Sequence, residues 1–534
     1  MLLLALALRL HTAATREMEF DEVASVFISA RGPLDILTYL RGAIREHPPL
    51  YYLLLWLWIA LTGTSEFAMR FLSVGAGMLT VALMYRLLRK TSRPFVALLA
   101  TLLLVLSPFH IHESQNARMY GLLALWAVLS ISTFVDLLDE DRPWRWMLFW
   151  LFTGLGVFTH YYMVFVLLAQ DVFLILSWRR TRHLWIRWWA IHAVLGGALA
   201  TWAILSPGLG ATIASLWQKG IPSSIRWAAL ASSLNGLYLG ATVEPNWLYL
   251  SVPLLATGLG IAVALRSNLW LPKQRGGLLL AALVVVPLVS LLLLPERVTG
   301  RYLTAVLPAC IVALASAPGW LIARRPDLSR AQRILRPVTG IALLAWIIFL
   351  DLYSYPLLYE IPNDGLRDRM AYIESHARSE DGLLLHGPWQ NLILTYYSPG
   401  QVRRHTMPMD GLQIDPDQID EHLSKLFDIH NRLWVSYSTV PPVDPDWAVP
   451  RWLYDHAYRV WSTGDLVLYY PSPSPAPEPV SLDPVRFGEH LQLEQVALAN
   501  QSTTPENPIL LYSQWRALQD VPPVSYTHLR AHET

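Results

Sequence analysis

A chain of 534 residues with 54% hydrophobic and 15% charged side chains is too apolar for a soluble globular protein, in which about a quarter of residues are charged. Its formal net charge of +1 leaves no surplus of Lys and Arg to hold a nucleic-acid backbone. The one cysteine, Cys310, lies inside an apolar run, which excludes a disulfide framework and a cysteine-based metal site.

Residues 1–10 are apolar but too few to cross a bilayer, which takes about 20. No basic stretch precedes them and no small-residue cleavage site follows, so they read as the outer half of a first span that begins beyond this sequence. Two polar segments come next, MEFDE at 18–22 and REHPPL at 45–50. Between them Val23, Val26, Phe27 and Ala30 repeat at helical spacing as far as Gly32-Pro33, and Leu37, Leu40 and Ile44 form a second stripe. This pattern predicts two short helices lying on the membrane surface. The apolar run 48–61, rich in Trp and Tyr, has the length of an interfacial or re-entrant helix.

Spans are expected at 66–85, 95–111, 120–138, 145–160, 161–178, 188–206, 247–265, 277–294, 302–322 and 337–354, about eleven with the broken first one. If 48–61 does not cross, one set of loops collects Arg86, Arg89 and Lys90, then Arg142 and Arg145, then Arg179 to Arg187, then Arg266 and Lys273, and finally Arg324 to Arg336. The positive-inside rule makes that set cytoplasmic. The acidic segment 18–22 and the polar stretches 107–120, 159–162, 206–247 and 295–302 then share the outer face.

Beyond Asp351 the composition becomes that of a soluble domain. An amphipathic helix at 364–376 and β-type runs at 382–385, 433–437 and 465–470 predict a small extracytoplasmic α/β domain. The expected division is 1–355 for the membrane domain, 356–470 for the α/β domain, 471–479 for a Pro-rich linker and 480–524 for a β-rich module that is cut short. Residues 525–534 read as translated adapter sequence and are left out of the fold. The fold class is therefore an α-helical polytopic membrane protein with juxtamembrane helices, a small α/β domain and a truncated β-rich C-terminal segment.

Asp21-Glu22 suits the first turn of a helix, where acidic side chains offset the dipole. It is equally a candidate for chemistry, because carboxylates held against hydrocarbon are costly. Neighbours on a helix diverge by about 100°, so one of the two faces the site and the other supports it; Asp21 is assigned the first role. Glu46-His47-Pro48-Pro49 serves as a turn into the next helix, with a divalent cation at Glu46 as the weaker alternative, since two ligands do not define a site. In 107–120, Gln115, Arg118 and Tyr120 share a helix entry with Arg118 available to an anion. His160 reads as a hydrogen-bonded interfacial histidine, with a ligand role as the weaker alternative, beside ordinary belt tyrosines. Arg297, Arg301 and Tyr302 lie at the outer end of a span as anchors or as a phosphate clamp.

In this order and loop placement these residues resemble the GT-C superfamily of polyprenyl-phosphate-dependent glycosyltransferases, and most closely the bacterial relatives of protein O-mannosyltransferases and of the lipid A aminoarabinose transferase. The resemblance covers about the first 355 residues. It implies Asp21 as general base with Glu22 beside it, donor-phosphate contacts from His47, Arg118, Arg301 and Tyr302, and substrate contacts from Gln115, Tyr120 and His160. Some members carry lysine where this chain has His47. The implied activity is inverting transfer of a hexose or pentose from a polyprenyl-phosphate donor to a protein, glycolipid or polysaccharide acceptor, at the outer face of a bacterial cytoplasmic membrane. The alternative class is a transporter or lipid flippase with a sensory outer domain, which would place its ionisable groups near the bilayer midplane.

Overall fold

The computed structural model describes residues 1–42, 47–207, 223–240, 242–266, 276–293, 300–324, 328–360, 365–398, 400, 402–407, 414–437, 444, 446–471, 480–487, 491–498 and 511–517. Two compact units divide the chain, Met1–Asp364 and Gly365–Thr534.

The first unit is helical. After α1 (Leu2–Leu10) come α2 (Phe20–Ser29), α3 (Pro33–Gly42) and α4 (Leu50–Thr62). Helix α2 starts three residues before its first apolar stripe residue because Glu19 and Glu22 form a capping box, each side chain taking the other's backbone N–H. Pro33 opens α3, where its missing N–H costs nothing. Further helices follow: α5 (Glu66–Thr91), α6 (Pro94–Leu106), α7 (Pro108–Gln115), α8 (Tyr120–Asp139), α9 (Pro143–Thr159), α10 (Met163–Leu176), α11 (Trp178–Thr181) and α12 (Trp185–Leu205). The unit ends with α13 (Ser223–Leu239), α14 (Trp247–Arg266), α15 (Gly276–Leu293), a 3-10 segment Gly300–Ala305, α16 (Leu307–Ile322) and α17 (Arg330–Tyr359).

A helix thus lies at every position where a span was expected. Among the described residues five helices are long and apolar enough to cross a membrane, and a sixth if α6 and α7, bent by 55°, count as one. Helices α4, α10, α15 and α16 are apolar but shorter. The 302–322 run is the instructive case: it begins as a 3-10 segment, and the α-helix starts only at Leu307.

Close approach of the helices depends on small residues. A Cβ on Gly77 of α5 would lie 2.3 Å from Ser114 Oγ of α7, and one on Gly260 of α14 would lie 1.8 Å from the Ala313 carbonyl oxygen of α16. The Gly77 contact matters for function, because it seats the polar helix α7 against α5.

The second unit holds a five-stranded sheet of order β2-β1-β3-β5-β4, from β1 (Gly382–His386), β2 (Arg403–Met407), β3 (Leu433–Ser436), β4 (Ala457–Thr463) and β5 (Leu466–Pro471). Strand β1 pairs in parallel with β2 and β3, while β5 is antiparallel to β3 and β4. Helices α18 (Leu366–His376), α19 (Trp389–Tyr397), α20 (Pro416–Ile429) and α21 (Ala448–His456) accompany the strands. A separate antiparallel sheet comprises β6 (Val480–Phe487), β7 (Leu491–Leu498) and β8 (Leu511–Ala517).

Asp381, 2% exposed, ties the main sheet together. It accepts from Arg432 Nε at 2.7 Å, Arg432 Nη2 at 2.6 Å, Trp434 Nε1 at 2.9 Å and the Arg378 amide at 2.9 Å. Asp381→Ala strands the Arg432 charge and is expected to cost about 3–5 kcal/mol. The check is hydrogen exchange of the β1 and β3 amides in the full protein, which should accelerate in the variant.

Candidate active site

The site is built on the entry of α2, the loop before α8 and the 3-10 segment before α16. At the helix entry Asp21 and Glu22 diverge. Glu22 is fully buried and accepts from Arg70 Nε at 2.9 Å, Arg70 Nη2 at 2.7 Å, the Ala117 amide at 2.8 Å and the Glu19 amide at 3.0 Å. Burial alone would push its carboxyl up, but Arg70, with help from Arg16 and the Ala117 amide, holds it down to about 2. The rest of the Arg70 guanidinium is spent on the carbonyls of Ala13, Arg16 and Glu17. Glu22 is therefore committed to these partners and fastens α2 to the 116–118 loop.

Asp21 points the other way, and its side chain is 42% exposed. Arg301 Nη1 donates to its Oδ2 at 3.1 Å, and Arg118 Nη2 lies 3.7 Å from the same oxygen. Arg118 also donates to the Asp21 carbonyl at 3.2 Å and to Ser25 Oγ at 3.4 Å, so its side chain is fixed although its Nε has no partner. Two guanidinium groups from elements far apart in sequence thus converge on one half-open carboxylate.

Beside them lies an aromatic wall, buried at Tyr120 and His160 and half-buried at His47, Tyr162 and Tyr302. The His160 ring is 5.7 Å from His47, 5.6 Å from Tyr120 and 5.5 Å from Tyr302 between centroids, and Tyr302 stacks on Tyr162 at 4.2 Å. His160 Nδ1 accepts from the Tyr162 amide at 3.2 Å, so its neutral form carries the proton on Nε2. That Nε2 and His47 Nδ1 are buried without partners. Burial, reinforced by Arg118, lowers His47 to about 4, and burial, reinforced by His47 and Arg118, holds His160 well below its ordinary value. Both rings are neutral at physiological pH.

Of the residues expected at the site, Asp21, His47, Arg118, Tyr120, His160, Arg301 and Tyr302 come together. Gln115 does not: its amide nitrogen donates to the carbonyls of Leu8, Arg9 and His11, tying down the C-terminal end of α1. Glu46 and Arg297 lie outside the described residues. Among the described residues no cluster of three or more His, Cys, Asp or Glu is placed to hold a metal ion.

Sequence reasoning missed Arg70, Glu19, Arg16 and Glu113. Arg70 and Glu113 carried a usable signal, since an ionisable residue inside or at the bend of an apolar helix is retained at a cost. Glu19 and Arg301 are 3.5 Å apart, and Arg16 bonds Asn116 at 2.7 Å.

Residues 46–208 match the family model of dolichyl-phosphate-mannose-protein mannosyltransferases. No curated protein matches the chain by sequence. Among solved structures, the chain is similar to ArnT from Cupriavidus metallidurans bound to undecaprenyl phosphate, with 14% identity, TM-score 0.52, and coverage of 88% of this chain and 97% of that one. It is also similar to the oligosaccharyltransferase AglB from Archaeoglobus fulgidus in complex with an inhibitory peptide and a dolichol phosphate, with 11% identity, TM-score 0.51, and coverage of 89% and 74%. The chain is accordingly a multi-pass membrane protein with the fold of the GT-C glycosyltransferases, and its segment 46–208 carries the mannosyltransferase family match.

Proposed function

We propose that the protein is an inverting membrane glycosyltransferase that moves a hexose or pentose from a polyprenyl-phosphate donor to an acceptor hydroxyl at the outer face of the cytoplasmic membrane. The observation that carries this reading is the convergence of Arg118 and Arg301 on Asp21, a carboxylate open on one side and cationic on the other. The sugar leaves with its bonding electrons on the lipid phosphate, so the protein needs cations there and no general acid. Arg118 and Arg301 supply the charge, and the partnerless His160 Nε2–H supplies a neutral donor beside them. Asp21 removes the acceptor's proton as the oxygen attacks the anomeric carbon from the face opposite the phosphate, which inverts that centre. Tyr120 and Tyr302 supply aromatic faces against His160.

Purified full-length protein offered a panel of labelled polyprenyl-phosphate sugars is expected to consume at least one of them. Uptake of a lipid or solute into vesicles without consumption of any donor would overturn the reading. Arg301→Ala removes a charge-assisted contact worth about 1.5–3 kcal/mol, so donor KM is expected to rise roughly ten- to a hundredfold by the standard conversion. Initial rates at varied donor concentration test this.

A further inference from the structure

Glu113 sits on α7, one turn before the loop that carries Arg118, and is 1% exposed. Both carboxyl oxygens are buried and make no hydrogen bond. The cation in contact is Arg301, whose Nε stands 3.9 Å from Glu113 Oε1 while its other nitrogens reach Asp21 and Glu19. Arg301 therefore faces three carboxylates. An anionic phosphate arriving at Arg301 must come within a few ångströms of all of them, and Glu113 is the member with neither solvent nor a hydrogen bond to screen it.

Resting on the proposed function, we infer that Glu113 is a positioning residue that takes up one proton from solvent when the donor phosphate binds Arg301, so that donor binding is proton-coupled. As the acid it ceases to compete for Arg301 and stops repelling the phosphate.

The surroundings favour this residue over its neighbours. Burial raises the Glu113 carboxyl to about 7, with Glu19 adding to the rise and Arg301, Arg118 and Arg16 opposing it. Tyr120 of α8 also faces it. On α7 itself, burial and nearby arginines keep His110 and His112 neutral. Arg70 of α5 is committed to Glu22, Arg9 of α1 is bonded to His110, and Tyr355 of α17 donates to the Leu106 carbonyl. The sign follows: Glu113 is mostly protonated below pH 7 and ionised above it, so donor affinity falls as pH rises.

The test is equilibrium binding of the methyl diester of undecaprenyl phosphate, which has no ionisation of its own near neutrality, to the full-length protein. For the wild type the affinity is expected to fall about tenfold from pH 6 to pH 8, the effect of one coupled proton. Glu113→Gln, neutral and of the same shape, is expected to hold the low-pH affinity throughout. A flat wild-type profile, or an unchanged slope in Glu113→Gln, overturns the inference while leaving the proposed function standing. Absence of diester binding at any pH overturns both. A measurement without any variant is the infrared difference spectrum on adding the diester at pH 8: a gained protonated-carboxyl band supports the inference, and its absence overturns it.

Discussion

Asp21→Asn is expected to lower kcat by roughly 10²–10⁴, the usual worth of a general base, while donor-lipid binding is retained or tightened. Asparagine keeps the volume of the side chain and the contact with Arg301, but it cannot take a proton from an acceptor hydroxyl. The binding half of the expectation follows from electrostatics. Asp21 is a counter-ion for both arginines, at 3.1 and 3.7 Å, and a phosphate must compete with it for them. Removing its charge removes the competitor. Single-turnover transfer and diester binding, measured on the same preparation, separate the two effects. Full turnover by the variant would take Asp21 out of the mechanism, and lost binding would give it a structural role instead.

The parts of this site that were legible in the sequence are those whose position along the chain fixes their position in depth. Asp21, Arg118 and Arg301 each lie at the end of an apolar run on the same side of the expected spans, so topology alone brings them to one face. Direction is a different matter. Gln115 and Arg118 are a helical turn apart and look interchangeable as a string, yet one caps α1 and the other enters the site. That choice depends on Gly77 letting α7 pack against α5, a long-range contact that no local pattern contains. In the second unit, β1, β3 and β5 stood out as apolar runs. Strand β2, with the sequence RRHTM and mostly unburied, and β4 sit at the sheet edges. Each is paired on one side only, and its polar residues look like loop.

Breaking the Arg70–Glu22 pair is expected to do more harm to the fold than any other single change around the site. Arg70→Ala leaves the Glu22 carboxylate fully buried with two backbone amides as its remaining donors, a loss of about 3–5 kcal/mol against total stabilities of about 5–15 kcal/mol. Because folding holds Glu22 near 2, below its ordinary 4.5, the wild type's stabilisation from this pair is present above pH 4.5 and disappears as pH falls toward 2. Thermal unfolding of the solubilised protein should show a large drop for Arg70→Ala at neutral pH, and an unchanged melting temperature would refute the assignment. Replacing both residues, Arg70→Met with Glu22→Leu, removes the buried charge but leaves the carbonyls of Ala13, Arg16 and Glu17 and the amides of Glu19 and Ala117 without these side-chain partners, so only part of the lost stability is expected to return. Activity should not return with it. The Glu22 oxygens also hold the amides of Glu19 and Ala117, and through them the helix entry that aims Asp21 is fastened to the loop that carries Arg118. A variant that is stable yet inactive would show that the buried pair is kept for the orientation of the site above it.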